Sequence, residues 1–135
     1  MPLTETIRPA IAPQRPPLAP QEPGLAENLL LQAKTLLGMF GQQALQEMKA
    51  RSIHIPPAIC LISNAEGTLE LHSQHPQARA IRLWLSNSHD LRLSFHETRA
   101  LFELLNTCSP SKGYIPGMSF CIGLTSAGPL AYFSH

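Results

Sequence analysis

Residues 79–105, RAIRLWLSNSHDLRLSFHETRALFELL, decide the predicted fold of this chain. Apolar and polar side chains alternate over 80–85 and again over 90–95, which is the period of a half-buried strand. The quartet from Ser94 to Glu97 has the spacing of a capping box, in which the serine oxygen accepts from the third helical N–H. The stretch therefore predicts a strand, a turn, a second strand and the start of a helix.

The register of this predicted hairpin divides its side chains between two faces. The core face takes the apolar residues Ile81, Leu83, Leu85, Leu91, Leu93 and Phe95. The opposite face takes Arg82, Trp84 and Arg92, and because Trp and Arg are enriched at interface hot spots we predict partner binding there. The alternatives are that another element covers this face, which would make Trp84 a core residue, or that it is a platform for a ligand or single-stranded nucleic acid.

A long helix is predicted from Leu25 to about Ala50. Its apolar side chains recur at steps of three and four residues, namely Leu29, Ala33, Leu36, Leu37, Phe40, Ala44 and Met48. This stripe predicts core packing, with a dimer-forming face that includes Leu36 and Phe40 as the alternative. Glycine weakens a helix interior, so Gly38 and Gly41 either mark a break or let another backbone approach closely.

Two further hairpins complete the predicted sheet. The first has strands over 58–63 and 68–72, with Ser63 paired to Thr68, and the second lies within 117–133. The predicted fold class is therefore α+β. It is a single antiparallel sheet of about five to six strands built from hairpins, with the long N-terminal helix and a second helix packed on it.

The segment 55–73, preceded by a helix, is similar to the opening of the roadblock-type dimerising domains. Those domains continue with a helix after the hairpin. The alternation that begins at Arg79 predicts a strand pair there instead, so the fold prediction does not rest on this resemblance.

The domain organisation follows from the prolines. Residues 1–23 hold seven of the thirteen prolines of the chain, which favours an extended polyproline II tail, either plain or a docking arm. The remaining residues, 24–135, are long enough for a single α+β domain with its own core.

Composition limits the class of function. Charged residues make up 14% of the chain and the net charge is +1, so the clustered basic residues that phosphate contacts need are missing. Low surface charge favours self-association, and we predict a homodimer. Three cysteines without paired spacing fit a reducing compartment, and no apolar run is long enough to span a bilayer. We expect a cytoplasmic protein.

Histidines are the main candidates for chemistry. His72 and His75 lie three residues apart with His89 nearby, which makes them weak candidates for zinc ligands, but no HExxH or CxxC pattern accompanies them. We therefore predict no metal, no cofactor and no catalytic residue. A small enzyme or ligand-binding domain would need His72, His75, His89 or His96 to converge in a pocket.

The leading prediction is a small non-enzymatic protein-interaction domain, an adaptor or accessory protein, that binds itself first. The enzyme or ligand-binding domain is the second hypothesis. Weak nucleic-acid binding through Arg82, Trp84 and Arg92 is the third.

Overall fold

The computed structural model describes residues 24–108 and 117–134. The elements, in chain order, are α1 (Leu25–Ala50), β1 (Ile59–Ser63), β2 (Leu69–Leu71), α2 (Ala78–Asn87), α3 (His89–Cys108), β3 (Ser119–Thr125) and β4 (Gly128–Ser134). The four strands form one antiparallel sheet in the order β2-β1-β3-β4. The predicted α+β class and the long N-terminal helix are confirmed.

The three helices pack on one face of the sheet, and a single hydrophobic core lies between them. Alternate residues of β1 and β3 enter this core, namely Ile59, Leu61, Phe120, Ile122 and Leu124. Helix α1 packs along α3 and also contacts β4, while α2 packs on β2. An aromatic contact joins the layers, because the ring of Phe95 lies 5.9 Å from that of Phe40 and 5.7 Å from that of Phe120, centroid to centroid.

The predicted hairpin over 80–95 is wrong, because this stretch belongs to the helices α2 and α3. Leucines and arginines alternate in this stretch, which imitates a strand. The residues that are buried in α2 follow the helical period instead, at steps of three and one residues: Ile81, Trp84 and Leu85. Described residues therefore form four strands instead of the five to six expected.

The capping serine is Ser88 and not Ser94. The Ser88 Oγ accepts from the backbone N–H of Leu91 at 3.2 Å, which is the bond that an N-cap side chain makes with the third helical residue. Helix α3 therefore begins at His89, and the predicted capping box lies inside it.

This change of secondary structure places three residues on the opposite side from the predicted one. Leu83 and Leu93, expected in the core, are 63% and 50% exposed, whereas Trp84, expected outside, is 1% exposed. Ile81, Leu85, Leu91 and Phe95 are buried as predicted. At these positions the two-residue period of a strand and the 3.6-residue period of a helix place the side chain on the same side.

The hairpin β1–β2 is confirmed, but its register differs by one residue. Ser63 pairs with Leu69 instead of Thr68, since the turn holds one more residue, Thr68, than predicted. Gly67 within this turn has a φ of 83°. The Asn64 Oδ1 fixes this turn by accepting from the N–H groups of Glu66 and Thr68, at 3.0 and 2.9 Å. Leu71 is consequently opposite Leu61.

The C-terminal hairpin is also confirmed. Strands β3 and β4 are joined by Ser126 and Ala127, and Pro129 lies in β4 at the edge of the sheet, where a residue without an N–H is tolerated.

Helix α2, instead of the strand pair expected from Arg79, follows the first hairpin.

No helix among residues 24–108 and 117–134 is both long and apolar enough to cross a membrane. The predicted proline-rich tail, 1–23, lies outside the described residues.

The two glycines of α1 have different surroundings. A Cβ added at Gly41 would lie 2.6 Å from the Pro129 Cγ, whereas a Cβ added at Gly38 would meet none of the described residues within 4 Å. The helix is continuous through both positions, so Gly41 allows the close approach of α1 to β4, and Gly38 is not required by packing against the described residues.

We expect opposite effects from alanine at these two positions. Gly41→Ala should destabilise the fold by about 1–3 kcal/mol, because the added methyl overpacks the contact with Pro129. Gly38→Ala should stabilise it by about 0.5–1 kcal/mol through helix propensity alone. Urea unfolding followed by circular dichroism measures both, and equal shifts in one direction would contradict the packing described here.

Candidate functional site

The predicted partner-binding residues lie in different environments. Trp84 and Phe40 are core residues, Leu36 is half-buried, and Arg82 is exposed on the other side of α2. Arg92 is half-buried and its guanidinium donates to the Ser86 carbonyl at 3.2 Å. The structure therefore does not bring Arg82, Trp84 and Arg92 together on one exposed face.

Trp84 is held by a carboxylate of α1. The Trp84 indole N–H donates to the Glu47 Oε1 at 2.8 Å, and the Ser88 hydroxyl donates to the same oxygen at 2.6 Å. The other oxygen, Oε2, accepts from the Gln43 side chain at 2.9 Å. Burial acts to raise the pKa of Glu47, but these hydrogen bonds, led by that of Ser88, and the charge of Arg51 leave it below its usual value of 4.5.

This network fixes the junction between α2 and α3. Ser88, the residue that joins them, donates to Glu47 and at the same time caps α3 through Leu91. The two helices are thereby attached to α1 in one orientation. Glu47 was not a sequence-based candidate, and the only local signal for it is its place beside the buried Met48 at the border of the apolar stripe.

The candidate histidines do not converge. The His75 Nδ1 accepts from the Gln77 N–H at 2.9 Å, so its Nε2 carries the proton and donates to the His54 carbonyl at 2.8 Å. The His96 Nε2 lies 2.7 Å from the Gly67 carbonyl oxygen and links α3 to the β1–β2 turn. Among the residues that the structure describes, no group of three His, Cys, Asp or Glu side chains is placed to hold a metal ion.

His72 and His89 are both exposed. The zinc-ligand set His72, His75 and His89 is consequently not assembled, and His75 and His96 instead hydrogen-bond to backbone groups of connecting segments.

Two of the cysteines lie on the sheet face away from the helices. Cys60 in β1 lies opposite Gly123 of β3, and Cys121 in β3 lies opposite Tyr132 of β4. Burial, followed by the neighbouring Cys60, raises the pKa of the Cys121 thiol, and burial also raises the pKa of Tyr132. Cys108 is exposed at the end of α3.

Thiol reactivity should follow this exposure. Ellman's reagent, added to the folded protein, should modify Cys108 first and Cys121 last, because only the accessible thiolate reacts. Cys108→Ser should remove the fast phase, and unfolding should make all thiols equivalent. Modification of Cys121 in the folded protein as fast as Cys108 would be inconsistent with its buried position.

Exposed large apolar side chains are concentrated on the helices. Of the nine in the described residues, eight belong to α1, α2 or α3 and one to β4, namely Leu25, Leu30, Leu31, Met39, Leu45, Leu83, Leu93, Leu104 and Leu130. Single exposed leucines are ordinary, whereas contiguous apolar patches mark binding surfaces.

A groove on this layer runs between α1 and α3 and has a volume of about 450 Å³. Its apolar lining consists of Met39 and Leu93, which are 58% and 50% exposed. Its polar lining consists of three glutamines of α1, the Ser94 side chain and the carboxylates of Asp90 and Glu97 on α3. We call Met39, Asp90, Leu93 and Glu97 the acidic groove.

No family model matches this chain, and neither a curated protein nor a solved structure matches it. Its function must therefore be argued from its own residues.

Proposed function

We propose that this chain is a non-enzymatic protein-interaction domain that associates with a second copy of itself through the outer surface of its helices. The observation that carries the proposal is the set of eight large apolar side chains exposed on α1, α2 and α3. Burying such side chains in an interface removes apolar surface from water, which is the main driving force of association.

The charge of the chain supports self-association. Charged residues are 14% of the sequence, against roughly 25% in typical globular proteins, and the net charge is +1. Two copies therefore meet little electrostatic repulsion. The glutamines in the lining of the acidic groove can also be covered at a lower desolvation cost than lysines or glutamates.

The two alternative hypotheses lack a supporting observation. Nucleic-acid binding relied on Trp84 as a stacking platform, and that side chain is in the core. The enzyme hypothesis relied on histidines that converge, whereas the His75 ring hydrogen-bonds to the His54 carbonyl and the His96 ring to the Gly67 carbonyl.

Two matched leucine variants test the proposal. Leu93 in the acidic groove and Leu130 on β4 are 50% and 57% exposed, so glutamine at either position costs little stability. In sedimentation velocity, the intact wild-type chain should approach twice its mass of 14.8 kDa as concentration rises. Leu93→Gln should shift this equilibrium toward the monomer, and Leu130→Gln should not. A wild-type chain that stays at 14.8 kDa at every concentration would overturn the proposal.

A further inference from the structure

The exposed face of α2 is basic and carries one large apolar side chain. Arg79 and Leu83 are four residues apart, and Arg82 is three residues from Arg79, so all three lie on the same side of the helix. Each is exposed, and Leu83 most clearly at 63%. We call these three residues the basic face.

The acidic groove has the opposite charge and a similar layout. Asp90 is three residues before Leu93 and Glu97 is four residues after it, so two carboxylates flank one exposed leucine along α3. In the part of the chain that the structure describes, the one salt bridge joins Arg99 to Glu103 at 3.9 Å. The side chains of the basic face and of the acidic groove therefore form no salt bridge within the described chain.

We propose that the dimer forms when the basic face of one copy lies in the acidic groove of the other. Leu83 then covers Met39 and Leu93, and the arginines meet the two carboxylates. This pairing specifies which surfaces meet in the proposed dimer, and it rests on the proposed self-association.

The connectivity suits a two-fold arrangement. Because only Ser88 separates α2 from α3, the basic face and the acidic groove belong to consecutive helices, whose junction Glu47 holds against α1. A two-fold axis between two copies would use both surfaces twice and leave neither open, which closes the assembly as a dimer.

The charges of the two surfaces determine how the two copies are oriented more than how tightly they bind. Exposed ion pairs contribute little by themselves, whereas like charges placed opposite each other oppose association strongly. Charge reversal on one surface should therefore raise the dimer dissociation constant by about tenfold or more, and reversal on both should restore it.

The experiment uses two charge-reversed chains, measured by sedimentation velocity. The first carries Arg79→Glu and Arg82→Glu, and the second carries Asp90→Arg and Glu97→Arg. Each alone should be monomeric at concentrations where the wild type is dimeric. An equimolar mixture should form a heterodimer, because both of its contacts are again between opposite charges, and a single chain with all four changes should dimerise with itself.

Controls separate folding from binding. Glu66→Arg makes the same change of charge as Glu97→Arg, but at an exposed turn outside both surfaces, and should leave the dimer intact. Circular dichroism verifies that each variant is folded. Since Asp90 lies in the first turn of α3, Glu97→Arg alone replaces the second chain if the double variant does not fold.

The outcomes distinguish the two proposals. A monomeric wild type overturns both. A dimeric wild type whose two reversed chains also remain dimeric, or whose monomeric reversed chains do not associate on mixing, overturns the pairing of these surfaces and leaves self-association standing. Monomeric reversed chains that form a heterodimer on mixing support both.

Discussion

Trp84→Ala is expected to lower the free energy of unfolding by about 3–5 kcal/mol, the range for truncating a large buried aromatic residue. The side chain is 1% exposed and belongs to the shared core of helices and sheet. Its loss leaves a cavity and removes one of the donors to Glu47. For a domain of ordinary stability this is a large fraction of the total.

The measurement is chemical denaturation followed by circular dichroism, since the variant removes the only tryptophan. Arg82→Ala is the matched control, because this residue lies on the exposed side of the same helix and its truncation should change stability by about 0.5 kcal/mol or less. Trp84→Phe should fall between the two. A Trp84→Ala chain that keeps wild-type stability but no longer self-associates would show that Trp84 belongs to an interface and not to the core.

Glu47→Ala is expected to cost about 2–3 kcal/mol. The variant leaves the Trp84 indole N–H and the Ser88 hydroxyl without the acceptor that holds both, and unsatisfied partly buried donors cost about 1–3 kcal/mol each. Glu47→Gln keeps an acceptor oxygen of the same shape and should cost clearly less. Urea unfolding measures both variants, and equal losses would indicate that hydrogen bonding is not what Glu47 contributes.

Stability should also fall in acid because of Glu47. Its pKa in the folded protein lies below its usual value of 4.5, since the hydrogen bonds and Arg51 outweigh burial. The unfolded chain therefore takes up the proton first as the pH falls, and the contribution that is present above 4.5 is lost as the pH passes through the folded pKa. Glu47→Gln should flatten this part of the curve of stability against pH. An unchanged acid limb would contradict the lowered pKa.

The sequence predicts those elements whose signals are local. Helix α1 has a stripe that runs its whole length, and the two confirmed hairpins have turn residues such as Asn64 and Gly128. Helix α2 and the first turns of α3 were missed because Leu83 and Leu93 alternate with polar residues as they would in a strand, whereas the part of α3 that follows Ser94 was predicted as a helix. Both leucines are exposed in the structure, although an apolar residue is normally assigned to the buried face. Counting them as buried hides the helical spacing of the residues that are in fact buried.

The candidate site depends on contacts that no local pattern contains. Glu47 meets Trp84 across 37 residues of sequence, and the acidic groove exists only because α1 packs along α3. Self-association, predicted from the low charge of the sequence, and a binding role for Arg82 both stay predictions. The exposed side of α2 could not be predicted from a strand pattern, because a strand and a helix distribute the same side chains over different faces.

The two methionines of α1 give the most direct test of the claim that the helical surface is where this domain associates. Met39 lies in the acidic groove and is 58% exposed, whereas Met48 is 1% exposed in the core of the same helix. In a dilution series of the intact chain labelled with ¹³C at the methionine methyl groups, the Met39 signal should move with concentration and the Met48 signal should not. A Met39 signal that stays fixed while the chain dimerises, or a chain that never dimerises, would contradict the claim.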